Sequence, residues 1–321
     1  SGESVVRADG RYLTDVWTEE AVGFIERHTE EPFFLHVTYN APHTPLQAPE
    51  EEVRPFAATG KFNRGVSTLY GMLHRMDTGI GRILETLRDH GLEENTIILF
   101  TSDNGPQFGG SGENRLDRFN CQLHGAKGSV YEGGIRVPML LRWPAGLQGR
   151  RECHEMVHFS DWFPTLLAMA GVERSDGPDL DGIDVLPALR GESGHTCTRR
   201  YWQWNRYTPV CECNAAVRDG DWKLVRPAIP EAMRAPCVDP WLRVSMSEPE
   251  HFVENGLVTD PEPPRALSAP PPAELYDIGA DPLEQEDLAG RHPEVVHRLT
   301  QELENWFTEV ERERATIDDG P

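Results

Sequence analysis

Basic residues are scarce in this chain: 31 Lys and Arg stand against 53 Asp and Glu, a net charge of −22 over 321 residues. That balance argues against nucleic acid or an anionic membrane as the main partner. Long apolar runs are missing too, so no transmembrane segment is expected, and no signal-peptide pattern stands at the amino end. Cysteine is sparse, with six residues scattered at 121, 153, 197, 211, 213 and 237. A disulfide-stapled miniature fold is thereby excluded. Cys211-Glu212-Cys213 reads as free or locally bridged thiols, with a thiol pair or part of a metal site as the alternative. Methionine is absent from the start, Ser1-Gly2-Glu3-Ser4, which reads as a fragment or a processed product. Apolar content of 38% and charged content of 26% are those of an ordinary globular protein able to bury a large core.

Hydrophobic periodicity supplies the elements. Thr14 to Thr29 reads as an amphipathic helix capped at Thr18, with Glu19 and Glu20 in its first turn. Pro32 to Tyr39 is a nearly continuous apolar run, expected as a strand buried on both faces of a parallel sheet. It ends in Ala41-Pro42-His43-Thr44-Pro45, where two prolines fix a turn around His43. A helix from Ser67 to His90 closes at Gly91, and Thr96 to Thr101 is a second buried strand. This helix–strand alternation predicts a parallel α/β sheet, whose ligands collect at the carboxyl ends of strands. His43 and Asp103 both stand just past such ends.

Ile135 to Trp143, interrupted by Pro138, reads as an edge or bulged strand, and Ser160 to Gly171 as a helix with a serine cap. Ala216 to Val225 is a hairpin around Asp219-Gly220. Glu274 to Asp277 is a short strand, and Pro293 to Glu311 a terminal amphipathic helix. The composition divides the chain into an α/β portion at 1–190 and an α+β subdomain at 191–321, with a proline-rich insertion at about 226–273.

Chemistry concentrates between Ile97 and Trp143. Asp103-Asn104-Gly105 could be a hairpin turn, but the preceding strand lacks a matching second strand. The pair then reads as two oxygen ligands for Ca²⁺ or Mg²⁺. Lys127 lies between Gly125 and Gly128, which let the backbone approach a ligand closely. His43 is a rigidly held candidate acid or oxyanion donor. Glu132 and Arg136 read as a structural brace, and His124 as a residue lining the site beside Lys127. Hard oxygen ligands next to a cationic anion-holder suit a negatively charged oxyester.

Taken in order, these stretches resemble the type I sulfatase family within the alkaline-phosphatase-like superfamily. The matching pieces are Pro32-Phe33-Phe34-Leu35 with Ala41 to Pro45, Asn95 to Gly105, and Gly125 to Gly128 with Tyr131 to Pro138. Asp161 to Leu167, Leu180-Asp181-Gly182, Asp219 to Leu224 and Glu274 to Asp277 complete the series. The resemblance implies a mostly parallel α/β sheet flanked by helices, with a smaller carboxy-terminal antiparallel sheet and helix. It implies that Asp103 and Asn104 are two of four protein ligands of calcium, magnesium being the less suited ion. It also implies that His43 and Lys127 bind sulfate and assist departure of the alcohol.

The family's nucleophile is a formylglycine made from Cys or Ser in a Cys/Ser-x-Pro/Ala-x-Arg motif. None of the six cysteines starts such a motif; Cys197-Thr198-Arg199-Arg200 comes nearest and fails. The family's early Asp-Asp pair and Lys-x-His segment are missing as well, and His124 stands where many members have arginine. The expectation is half of a sulfatase site, inactive as it stands, acting on a sulfated small molecule or glycan in an extracytoplasmic setting. The alternatives are a phosphodiesterase or phosphonate hydrolase of the same superfamily, or a catalytically dead binder of sulfated glycans. The sequence carries no code for oligomeric state.

Overall fold

A computed structural model describes residues 10–192, 197–234 and 265–316. The chain forms two compact units, one of residues 1–100, 107–119 and 139–152, the other of 101–106, 120–138 and 153–321.

The first unit is built on three helices, α1 (Leu13–Arg27), α2 (Glu50–Ala57) and α3 (Arg64–Asp89). Small residues on α3 let its neighbours approach. A Cβ at Gly79 would stand 2.4 Å from Thr18 Oγ1 on α1, and one at Gly71 would stand 3.1 Å from the Glu52 carbonyl on α2. Arg75 locks the three together, donating to Asp15 at 2.7 and 2.8 Å and to Glu52 at 3.2 Å. Val16, Ala21, Ile25, Val53, Val66, Leu69 and Met72 are buried among them. Asn63 caps α3 by accepting from Val66 N at 2.9 Å. At the other end Gly91 takes φ +68°, and Leu92 N donates to Leu87 O at 2.8 Å, the left-handed stop expected there.

Four expectations fail here. Helix α1 begins at Leu13, so Thr18 is no cap; mid-helix, its hydroxyl donates back to Thr14 O at 2.8 Å. Residues 33–40 form no strand. Alternate residues there are exposed, Phe34 by 81%, and no strand among the described residues pairs with their backbone. The strand expected at Ile135 to Trp143 is shorter, because residues Glu132–Ile135 form the helical turn α4, and β2 (Met139–Arg142) starts only after Pro138. It pairs with β1 (Ile98–Thr101), which is half-buried rather than enclosed.

The second unit holds α5 (Trp162–Ala170), α6 (Leu186–Arg190) and a four-stranded antiparallel sheet. Its strands, in order, are β3 (Arg199–Gln203), β4 (Ala215–Asp219), β5 (Trp222–Arg226) and β6 (Glu274–Asp277). Gly220, at φ +62°, turns the expected hairpin, pairing Asp219 with Trp222. Period-two alternation sorts the sheet. Ala215, Val217, Leu224 and Leu275 meet Leu299 and Leu303 of α7 (Pro293–Arg314). Ala216, Val225 and Tyr276 face the opposite way and pack on Val130 and Ile278. The carboxy-terminal antiparallel sheet with its terminal helix is thus as expected.

The cap of α5 is not Ser160. His158 caps the preceding turn, accepting from Ser160 N at 3.3 Å while Asp161 accepts from His158 N at 2.8 Å. The described parts of the proline-rich stretch, 227–234 and 265–273, carry no helix or strand, and 235–264 lies outside the described residues. Among the described residues no helix is long and apolar enough to cross a membrane.

Candidate functional site

In the second unit two separate stretches of chain are fastened back to back. Gly105 N donates to Gly134 O at 2.9 Å, and Lys127 N donates to Pro106 O at 2.9 Å. The approach is close enough that a Cβ on Gly105 would lie 1.9 Å from Gly133 O. Glycine is therefore obligatory at 105, and the tip carrying Asp103 and Asn104 is pinned against the loop carrying Lys127. Gly125 and Gly128 take φ of +80° and +86° on either side of Lys127, the backbone freedom expected of them.

Asp103 is exposed. Asn104 donates its side-chain N–H to Gly105 O at 2.9 Å, so the amide presents its oxygen as the atom available to a hard cation. Among the described residues no three or more His, Cys, Asp or Glu gather into a metal site. Asp103 and Asn104 fit calcium as two members of a shell of roughly six to eight oxygens.

The Lys127 loop is braced from the sheet. Glu132, read as the partner of Arg136 alone, lies 3.5 Å from it and also accepts from the fully buried Lys223 at 2.9 Å. Lys223 meets Glu284 at 2.7 Å, and Glu284 accepts from Glu132 N at 2.7 Å. Burial lifts the Glu284 carboxyl above the ordinary range against the pull of Lys223. The signal for this cluster was a lysine inside the apolar run Trp222-Lys223-Leu224-Val225, on the strand face that looks toward Val130. Asn214, buried at φ +46°, adds a second brace by accepting from Val130 N at 3.2 Å and donating to Gly128 O at 2.9 Å.

The ring of His124 stacks on Tyr131 with centroids 4.0 Å apart. Tyr131 and Tyr276 both donate to Glu274, at 2.7 and 2.8 Å. Burial and that carboxylate push both phenols upward, so they stay protonated.

His43 belongs to the first unit. Its backbone N–H donates to Asn40 O at 2.8 Å, and its ring Nδ1 lies 2.8 Å from Thr44 O, which leaves Nε2 as the working nitrogen of an exposed ring. The adjoining Thr44 and Leu46 line an open cleft of about 480 Å³ together with Gln107, Phe108, Asn114 and Leu116. Cys211 and Cys213 are free thiols; Arg226 donates to Cys211 Sγ at 3.1 Å, and Cys213 packs against Ile229 and Ala232.

Comparison with known proteins follows the same outline. The family model described as Sulfatase matches residues 2–172, and that described as N-sulphoglucosamine sulphohydrolase, C-terminal, matches 124–230. The chain is 29% identical over 299 residues to N-acetylgalactosamine-6-O-sulfatase of Bacteroides thetaiotaomicron, covering 91% of this chain and 50% of that one. It is 29% identical to arylsulfatase J of Mus musculus, covering 92% and 48%. The chain thus spans about half the length of the curated relatives it matches. Among solved structures, Ps i-CgsB in complex with k-i-k-neocarrahexaose aligns with a TM-score of 0.71 at 28% identity, covering 95% of this chain and 56% of that one. The likeness gives the fold class, α/β of the alkaline-phosphatase-like type.

Proposed function

From the premise that this chain belongs to the sulfatase family, we propose that it supplies the carboxy-terminal half of a site that hydrolyses a sulfate ester of a small alcohol or sugar. One observation carries the reading. The Asp103-Asn104 tip and the Lys127 loop are held together by reciprocal backbone bonds, so oxygen donors for a cation and a flexible ammonium serve one place.

The roles follow from the chemistry of the groups. Lys127 offers a point charge to a sulfate oxygen. For His43 the role of assisting departure of the alcohol is what the family resemblance implies, and Nε2 is the ring nitrogen left for it, since Nδ1 faces the Thr44 carbonyl. His124 lines the same loop. Asp103 and Asn104 hold calcium, which when bound draws charge from the sulfate oxygens. No cysteine of the chain fits the formylglycine motif, so this polypeptide alone binds sulfate esters without turning them over. Export from the cytoplasm is the expectation that goes with the family.

The test is binding and turnover by the purified chain with calcium, using an aryl sulfate and the matched phosphate ester. Calcium-dependent binding of the sulfate ester, weakened by Lys127→Ala, is expected, with no product formed. Product from this polypeptide overturns its inactivity, and tighter binding of the phosphate ester turns the reading toward a phosphonate or phosphodiester hydrolase. In the protein made from the whole gene, binding that persists without turnover leaves a sulfated-glycan binder.

A further inference from the structure

The indole of Trp204 stands beside the Lys127 loop, and none of the roles above uses it. It follows directly on β3 and is 44% exposed. Its six-membered ring lies against Gly128, where a Cβ would meet Cζ3 at 3.6 Å. Its backbone is tied at both polar groups. The buried side chain of Asn214 donates both to Gly128 O at 2.9 Å and to Trp204 O at 2.7 Å. Trp204 N in turn donates to Asn214 O at 3.1 Å. A single buried amide thus ties the residue next to Lys127 to the residue bearing the indole.

The chain beyond is equally fixed. Asn205 accepts from Val210 N at 3.0 Å and donates to Thr208 O at 2.9 Å. Arg206 N donates to Ala232 O at 3.0 Å. The Arg206 guanidinium carbon lies 5.9 Å from the indole centroid, which steadies the ring and keeps positive charge beside it. Covering Gly128 needs only a small apolar group. A large aromatic on an anchored backbone, left nearly half in water, is what a binding surface needs, because it offers apolar area with few rotatable bonds to order.

We propose that Trp204 is the stacking platform for the pyranose ring whose sulfate is held at Lys127, which makes the substrate a sulfated saccharide rather than a simple alkyl or aryl sulfate. The inference rests on the reading of Lys127 as the sulfate-binding residue. The apolar C–H face of the sugar lies on the indole.

Two probes sharing the sulfate separate the claims: N-acetylgalactosamine 6-sulfate, which has a ring, and methyl sulfate, which has none. Binding to the full chain with calcium is followed by ligand-observed saturation-transfer NMR and titration. Trp204→Ala is expected to weaken the sugar sulfate by about tenfold while methyl sulfate stays within about twofold. Trp204→Phe retains most of the affinity. In the unsubstituted chain saturation falls on the protons of one ring face, and Trp204→Ala removes that pattern. Equal effects on both probes, or none on the sugar, overturn the platform while Lys127 keeps its role. If Lys127→Ala weakens neither probe, or neither binds, the underlying reading fails and the platform with it. Circular dichroism of each variant separates a lost contact from a lost fold, and Trp204→Phe carries the decision should Trp204→Ala not fold.

Discussion

Lys223 and Glu132, 91 residues apart in sequence, form an ion pair 2.9 Å long from which solvent is almost excluded. Its place in the fold explains its presence. Lys223 lies on the sheet face that looks away from α7, and Glu132 opens the helical turn that follows the Lys127 loop. A charge pair there ties the loop to the sheet.

Removing one partner leaves buried charge uncompensated. Lys223→Ala strands Glu132 beside Glu284, and the expected loss is about 3–5 kcal/mol in urea unfolding. Arg136→Ala removes a side chain that is 54% exposed and 3.5 Å from the same glutamate. That change should cost less than about 1 kcal/mol. Equal losses for the two would mean that Lys223 does not hold the loop.

The sequence disclosed what depends on period and on glycine. Helices α3 and α7, the Asp219-Gly220 hairpin and the glycines at 91 and 171 were legible because each reports a local requirement. The Lys127 loop was legible for the same reason. Pairing partners were not. The run Pro32 to Tyr39 has strand composition, yet composition cannot say whether another strand lies alongside. Strand β3 was hidden by Arg199-Arg200, since a charged pair reads as surface; Arg200 is buried because it pairs with Asp161. The grip of Asn214 and Lys223 on the loop joins residues nearly ninety apart or more, a distance at which spacing carries no signal.

His158 gives a pH dependence. Burial first, and then the neighbouring Arg200 charge, lower its imidazole pKa, against smaller opposing effects of Asp161 and Asp181. The unfolded chain therefore takes up this proton at higher pH than the folded chain does. Its contribution to stability is present above the ordinary imidazole value and is lost as pH falls toward the folded one. Chemical denaturation between about pH 7 and pH 5 should show falling stability, less steep in His158→Asn. An NMR titration placing this imidazole at or above its ordinary value would rule the account out.

Two glycines test whether the pinned tip matters for ligand binding or only for folding. A Cβ on Gly105 would stand 1.9 Å from Gly133 O, and one on Gly182 would stand 1.8 Å from Ser160 O. Both obstacles are backbone, so either alanine substitution should cost about 1–3 kcal/mol. Only Gly105→Ala displaces the Asp103 tip from the Lys127 loop, and it alone should weaken calcium-dependent sulfate-ester binding by more than about tenfold. Matching affinity losses in both variants would show a general loss of structure instead.

Calcium itself can be read without turnover. A cation that binds the folded chain and not the unfolded one raises the melting temperature, worth about 1.4 kcal/mol when its concentration is tenfold above Kd. The exposed Asp103 carboxylate supplies the charge in the pair it makes with Asn104, so Asp103→Asn, which keeps the shape, should abolish the rise. Asp117→Asn is the control, because that carboxylate accepts from Gly109 N at 3.3 Å and pairs with Arg115, and its loss should leave the calcium effect intact. Magnesium, which prefers a smaller and more regular shell, should give a weaker rise than calcium. A melting temperature indifferent to calcium, or a rise that survives Asp103→Asn, would remove the cation from this tip and leave the anion-holding role to Lys127.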